Sequence, residues 1–318
     1  LNVLSFTHPS HAFDGSLRLQ RLPLDWLQRA GVEVAVLRLD QVDAQLSGNK
    51  WFKLTRHLDA ARAAGAPGLV SLGGAHSNHL HALAAAGRRF GFATVGLLRG
   101  HEQETPTVCD LRACGMQLHW LGYGGYRARN LPGFWAPWLE RYRGYYPVPE
   151  GGGGLAGARG CVVLVSQLQA LLPTIGWEHY DANWLAVGTG TTLAGLVIGE
   201  AGRHPVFGAL AGPPSHAVDA RLAELFAEAE VADSGYRLLD ASRAGFGRFD
   251  AELAHFIQAT ERDGGVPLDP VYTAKAMMAL RLYIERGYFP PGTRLVFIHT
   301  GGLQGRRAAQ AQLRRLMG

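Results

Sequence analysis

Residues 47–54 read SGNKWFKL and carry two of only three lysines in a chain of 318 residues whose lysines and arginines together number 31. The third is Lys275. A chain that fills nearly every other basic position with arginine therefore keeps Lys50 and Lys53 within four residues of each other. A lysine amine can condense with a carbonyl to a Schiff base, whereas a guanidinium stays protonated at any relevant pH and cannot. If a helix begins here, the two lysines lie one turn apart on one face. A neighbouring cation then lowers the pKa of the reacting amine. Lys275 lies on an amphipathic helical pattern and reads as structural.

A second stretch, AVGTGTTLAGL, places Gly188 and Gly190 with Thr189, Thr191 and Thr192 between an apolar strand and an apolar helix. Glycines let backbone N–H groups approach an anion, and the helix start adds its positive dipole end. This is a phosphate cup. It is not a P-loop, because no Gly-Lys-Ser/Thr follows. It departs from the dinucleotide fingerprint, which needs glycine where Leu193 stands. A third stretch, GGAHSNHLHAL, sets Ser77 and Asn78 where a helix starts, so side chains and amides can face a carboxylate or a phenolic oxygen. His76 and His79 could share a helical face, but with no HExxH and no cysteine partner a metal is not expected. His81 reads as a packing or capping residue. Together the lysine and the cup point to a small phosphorylated cofactor that bears a carbonyl.

Three loops must be positioned for this chemistry. GGAHSNH follows an apolar run at 69–72, GTGTT follows 184–187, and HTGG follows 295–298. Short β-branched runs alternate with Ala/Leu-rich helical stretches from VEVAVLRLD (32–40) through TRLVFIHTGG, which argues an α/β fold with mostly parallel sheets and helices on both faces. Functional loops in such sheets gather beyond the carboxyl ends of the strands, so all three are expected on one rim. The stretch 123–160, rich in glycine, proline and aromatics and carrying GGGG at 151–154, reads as a long irregular excursion.

Bulk composition excludes little that matters here. With 47% hydrophobic and 18% charged residues the chain is globular, and its net charge of +5 is spread along the sequence. The basic C-terminal run GRRAAQAQLRRLMG reads as a solvated helix, and nucleic acid is not an expected partner. Three cysteines, with no even framework and no CxxC, suit reduced thiols. The first residues lack a signal-peptide pattern and no uninterrupted apolar stretch of membrane-spanning length is read, so a cytoplasmic protein with no membrane partner is expected.

Taken together, SGNKWFKL, GGAHSNH, VGTGTTLAG, PVYTAKAM and FIHTGG resemble, in order from about 45 to 305, the fold-type II pyridoxal-phosphate (PLP) enzymes of the 1-aminocyclopropane-1-carboxylate (ACC) deaminase and D-cysteine desulfhydrase family. The resemblance implies a tryptophan synthase β-like pair of α/β domains with open, twisted, mostly parallel sheets: a large PLP-binding domain of residues 1–51 plus 156–318 and a small domain of residues 52–155. It implies that Lys50 carries the cofactor and that Asn78 bonds its phenolic oxygen. Gly188, Thr189, Gly190, Thr191 and Thr192 would cradle the phosphate, and Thr300 would face the pyridine nitrogen. Ser77, Asn78, His79 and Tyr272 would meet a small amino-acid substrate, with Lys50, Ser77 and Tyr272 catalytic. A homodimer is implied as well.

A threonine hydroxyl at the pyridine nitrogen cannot enforce its protonation as a carboxylate would, which favours elimination or deamination over aminotransfer. The segment after Lys50 is WFK where the deaminases usually have a Thr-Arg-Lys type sequence, His76 stands where glutamine is common, and no second tyrosine lies near Phe297. PVYTAKAM and FIHTGG lean towards the desulfhydrase side. The expected activity is α,β-elimination from D-cysteine to pyruvate, sulfide and ammonia. The alternatives are ACC deamination to 2-oxobutyrate and ammonia, a nucleotide-dependent oxidoreductase using the 188–195 turn, and a PLP carrier without catalysis.

Overall fold

The computed structural model describes residues 17–213, 217–243 and 245–317, so the N-terminal stretch read for a signal peptide lies outside the described residues. The chain opens with β1 (Leu19–Arg21), α1 (Asp25–Ala30), β2 (Glu33–Arg38) and α2 (Asn49–Ala63). It continues through β3 (Gly68–Gly73), α3 (Asn78–Phe90), β4 (Ala93–Leu98), α4 (Pro106–Ala113) and β5 (Gln117–Trp120). Next come α5 (Gly122–Arg127), α6 (Ala136–Arg141), β6 (Tyr146–Pro147), α7 (Gly154–Cys161) and α8 (Val163–Leu171). Then β7 (Ala182–Val187), α9 (Thr191–Glu200), β8 (Val206–Leu210), α10 (Val218–Ala229) and β9 (Tyr236–Asp240) alternate. The last elements are α11 (Ala251–Gly264), α12 (Thr273–Glu285), β10 (Arg294–His299) and α13 (Leu303–Leu316).

The strands form two sheets. Six lie in the order β1-β2-β10-β7-β8-β9 and four in the order β5-β4-β3-β6. Every pair is parallel except β1 with β2. β2, β7 and β10 are apolar almost throughout and buried on both faces, as parallel strands between helix layers must be. Because β7 and β10 are neighbours running the same way, with Leu295 beside Ala182 and Ile298 beside Leu185, the loops after both emerge on one rim. α2 runs without a break across residues 51 and 52.

The stretch 123–160 is more regular than its composition suggests. It contains most of α5, all of α6, the two-residue β6 paired to β3, and most of α7. The reading that no apolar run reaches membrane-spanning length needs correcting too: residues 154–175 are long and apolar enough by composition. They form the succession α7, α8 and a final short turn, and α7 is wedged between α2 and α9. A side chain at Gly160 would stand 2.1 Å from the Phe52 carbonyl, and one at Gly195 2.4 Å from that of Ala158. Glycine at both positions lets three helices approach closely enough to exclude a third-party side chain. α13 is not merely solvated: Arg306 pairs with Glu261 of α11, Arg307 with Asp110 of α4, and Leu313 is buried.

Candidate active site

The start of α2 brings Lys50 to the rim, and the way the chain enters that helix fixes its place. Gly48 sits at φ +72° with its Cα against the backbone of the β10 loop, and the Asn49 amide donates to the Thr300 carbonyl at 3.1 Å. The Asn49 side-chain amide donates to Thr192 Oγ1 at 2.8 Å, which ties the N-terminus of α2 to that of α9. Two of the three expected loops therefore meet at Lys50. The third arrives from the small sheet: Asn78, at the start of α3, packs against Gly302 and Gly305 at the start of α13, where built side chains would come within 3.4 Å of its Nδ2 and 2.8 Å of its Oδ1.

The glycine quartet is part of this site, which corrects its reading as a simple break. Residues 150–152 form a short 3-10 turn in which Gly151 and Gly152 take φ of +70°. That turn aims the Gly151 carbonyl at both lysines: Lys50 Nζ donates to it at 3.0 Å and Lys53 Nζ at 3.4 Å. Lys53 also donates to Thr189 Oγ1 at 3.4 Å, in the phosphate cup. One turn further along α2, His57 Nε2 lies 3.0 Å from the Gly153 carbonyl. Three cationic or titratable side chains on one helix face are thus turned towards one glycine strap.

Burial strips water from the Lys50 amine and, with the Lys53 cation beside it, holds its pKa well below the ordinary lysine value. Lys53 is lowered to about 8, chiefly by burial. Cys161, buried nearby, is pushed up to about 11 by the same desolvation and is an inert thiol. A free amine at Lys50 is what condensation with an aldehyde requires.

Above the cup, the Tyr272 ring lies where a side chain at Gly188 would come within 3.1 Å of its Cε1. Burial, with the carboxylates of Asp269 and Glu150 in support, raises the Tyr272 phenol, so it stays protonated through the neutral range. Asp269 also builds the turn before α12, accepting from the backbone amides of Val271, Tyr272 and Thr273 at 2.9 Å each. Ser77 caps α3, accepting from the Leu80 amide at 3.1 Å, and keeps its own hydroxyl hydrogen free to donate.

His79 is 3% exposed. The Ser71 hydroxyl donates to the Val148 carbonyl at 2.7 Å, so the imidazole must donate from Nε2 to Ser71 Oγ, also at 2.7 Å. That fixes Nδ1 as a bare acceptor, and it has no partner. Burial holds the ring neutral, well below the usual histidine range. His81 instead pairs with Asp110 at 3.1 Å, away from the lysines. Among the described residues no group of three or more His, Cys, Asp or Glu side chains could hold a metal.

Sequence reasoning missed four contributors. The Gly151 carbonyl is backbone and carries no side-chain signal. Asp269 stands just before the PVYTAKAM motif and acts through backbone amides that carry no side-chain signal. Arg38 and Asp40, at the end of β2, form a buried bidentate pair at 2.9 and 2.7 Å, and Asp40 lies 3.3 Å from His299, the residue before Thr300. Charged residues closing an otherwise apolar strand were the available signal.

A small phosphorylated aldehyde fits these residues. The desolvated amine of Lys50, the Gly188–Thr192 cup at the N-terminus of α9, and Asn78, whose Oδ1 is buried without a partner, are the donors and acceptors it would need. The family model for pyridoxal-phosphate dependent enzymes matches residues 17–301. The chain belongs to that family. It is 29% identical over 286 residues to a putative ACC deaminase of Pyrococcus horikoshii, covering 86% of each chain. It is 27% identical over 312 residues to a mitochondrial bifunctional D-cysteine desulfhydrase/ACC deaminase of Arabidopsis thaliana, covering 91% of this chain and 77% of that one. Among solved structures, an ACC deaminase homologue superposes with a TM-score of 0.83 at 26% identity, over 96% of this chain and 95% of the other. This is a fold-type II PLP enzyme of the ACC deaminase and D-cysteine desulfhydrase family, a lyase or deaminase.

The two lysines of this PLP enzyme give a first expectation. Lys53 is depressed when the chain is folded, so between about pH 8 and its ordinary value near 10.5 the unfolded chain binds more protons than the folded one. Its contribution to stability therefore rises with pH across that window and is at its most unfavourable below pH 8. Lys53→Met is expected to stabilise the cofactor-free protein at pH 7.5 by on the order of 2 kcal/mol, with the gain fading towards pH 10.5. The same change should weaken PLP binding, since an ammonium is lost beside the cup. Melting scans across pH and a PLP titration check both; an unchanged melting temperature at pH 7.5 would contradict the assignment.

Proposed function

We propose that this enzyme is a D-cysteine desulfhydrase: D-cysteine and water give pyruvate, hydrogen sulfide and ammonia. The observation that carries the reading is that Tyr272 stands over Gly188 of the cup while no second tyrosine lies near Phe297. ACC has no hydrogen on Cα, so its ring must be opened by a nucleophile or base acting elsewhere on it, and a single tyrosine at the cup among the described residues leaves no second phenol for that task. Cysteine does have a Cα hydrogen, and its sulfur is a good leaving group that asks for no stronger acid than a neutral phenol.

The roles follow from the chemistry of each group. Lys50 would hold the cofactor through its free amine, and the same amine is the base placed to take the Cα proton. Bound PLP supplies the electron sink for the pair left at Cα. Ser77, with the amides at the start of α3, holds the substrate carboxylate, and Asn78 bonds the cofactor's phenolic oxygen. Thr189, Thr191 and Thr192, with the Gly188 and Gly190 amides, take the phosphate. Thr300 would face the cofactor's pyridine nitrogen. His79 stays neutral and, with Nδ1 buried against Gly152, would act by holding the strap beside the substrate rather than by bonding it. Tyr272 donates a hydrogen bond to the departing sulfur, which leaves as hydrosulfide and takes its proton from water.

The test is to load the protein with PLP and offer D-cysteine, L-cysteine and ACC separately, measuring pyruvate, sulfide and 2-oxobutyrate. Pyruvate with equal sulfide from D-cysteine supports the proposal. 2-Oxobutyrate from ACC without sulfide from D-cysteine would replace it with ACC deamination, and no product from any of them would leave a PLP carrier. Tyr272→Phe is expected to lower D-cysteine turnover roughly tenfold to a hundredfold, as for the loss of one hydrogen-bond donor aimed at developing charge, with KM little changed. An unaltered kcat would remove Tyr272 from the reaction. A cytoplasmic homodimer is proposed from the family likeness alone, and sedimentation of the loaded enzyme tests the dimer.

A further inference from the structure

Lys275, the third lysine, is 1% exposed on α12, three residues beyond Tyr272. Its ammonium donates to the Ser242 carbonyl at 2.9 Å and to the Gly245 carbonyl at 2.6 Å. Both belong to the turn after β9, which lies on the same rim as the cup because β9 is parallel to β8 and β8 to β7. The turn is conformationally costly: Arg243, Gly245 and Gly247 take φ of +50°, +110° and +73°. From outside, Arg243 is held to Asp250 at 2.9 Å and to Glu252 at 2.7 Å. From inside, Lys275 shares these carbonyls with the turn's own amides, since Gly245 donates to the Ser242 carbonyl at 3.0 Å and Arg248 to that of Gly245 at 3.2 Å. A compact ammonium can satisfy two converging carbonyls where a planar guanidinium, built for parallel bidentate acceptors, would not.

What this turn carries is Phe246. Its ring, 47% exposed, meets the Tyr272 ring edge-on, with centroids 5.8 Å apart at 71°. Tyr272 in turn covers Gly188 of the cup. A continuous path of contact therefore runs from the buried ammonium through two backbone carbonyls to an aromatic edge over the site.

We propose that Lys275 is a positioning residue for substrate: by fastening the Ser242 and Gly245 carbonyls it holds Phe246 against Tyr272 as an apolar wall beside the substrate's β-substituent. This rests on the reading above that substrate lies next to Tyr272. The wall selects small, uncharged β-substituents, since a charged one would lose water against the Phe246 ring without gaining a partner.

The experiment uses the PLP-loaded enzyme and four variants: Lys275→Met, Phe246→Ala, the two combined, and Gly245→Ala. The last strains the turn through its positive φ without touching α12, because a built side chain there meets nothing within 4 Å. It takes the place of Lys275→Met should that variant fail to fold. Trypsin nicking after Arg243 and Arg248 is expected to quicken about tenfold in Lys275→Met and in Gly245→Ala while the visible cofactor band is retained. Each single variant should raise KM for D-cysteine about fivefold with a smaller change in kcat, and the double variant should lose no more than Phe246→Ala alone. Additive losses, or a lost cofactor band in a folded variant, would show a role in general stability and overturn the proposal. Unchanged nicking would overturn it whatever the substrate proves to be, so failure here is distinguishable from failure of the D-cysteine assignment.

Discussion

Lys50→Ala is expected to lower turnover of any amino-acid substrate by at least about 10³-fold, a loss of about 4 kcal/mol in transition-state stabilisation. The reason lies in what the neighbours can and cannot replace. Lys53 also points at the Gly151 carbonyl and also has a lowered pKa, yet its amine is directed to Thr189 in the cup and so to the phosphate end of the site. His79 presents a bare nitrogen, but one kept neutral and a weak base by burial. Among the described residues no other amine stands at the strap, since Lys275 is turned away to Ser242 and Gly245. The variant should fold at least as well as the parent without cofactor, because it removes a desolvated amine and leaves the helix start intact. Borohydride reduction should no longer fix PLP covalently to the protein. Retained turnover, or a covalent label that moves to Lys53 with activity preserved, would sink the assignment of Lys50.

Much of this site was legible because its parts are side chains on strongly patterned elements. β2, β3, β7 and β10 are short apolar runs that end in glycine, threonine or charge, and α2, α3 and α9 follow with helical spacing. Parallel strands with loops at one end are enough to bring Lys50, Asn78, Gly188 and Thr300 together. What stayed hidden is of two kinds. The glycine strap works through carbonyl oxygens, and a run of four glycines looks the same whether it breaks a fold or aims a backbone acceptor at an amine. Lys275 and Phe246 depend on partners 33 and 26 residues distant in the chain, and their meaning appears only when α12 and the turn after β9 are side by side. The same holds for 123–160, where α5 forms in a segment with three glycines because its buried Tyr126 donates to Glu150, next to the strap. Local propensity argues against that helix, and tertiary contact overrides it.

Gly48→Ala is the second large expected effect, and it tests whether the rim loops really converge at Lys50. Position 48 has φ of +72° and ψ of −157°, a region in which any L side chain is strained. A β-carbon there would stand 2.2 Å from the Thr300 carbonyl oxygen and 2.9 Å from the Gly301 Cα. Both obstacles are backbone, so no rotamer change relieves them. Gly301 cannot withdraw easily either, since its own φ of +88° is set by the amide bond it donates to His299 Nδ1 at 3.2 Å, and His299 is buried beside Asp40. The start of α2 must therefore shift, which breaks the Asn49–Thr300 bond, loosens the Asn49–Thr192 tie and displaces Lys50 from the cup. A cost of about 3 kcal/mol in stability is expected from strain and collision together. PLP affinity should fall by about a hundredfold, because a displacement near 1 Å is enough to misplace a reacting group. Denaturant titration of the cofactor-free protein and PLP titration by visible absorbance separate the two losses. If Gly48→Ala melts like the parent and binds PLP as tightly, α2 does not enter the site against Thr300, and the convergence on which Lys50 depends is wrong.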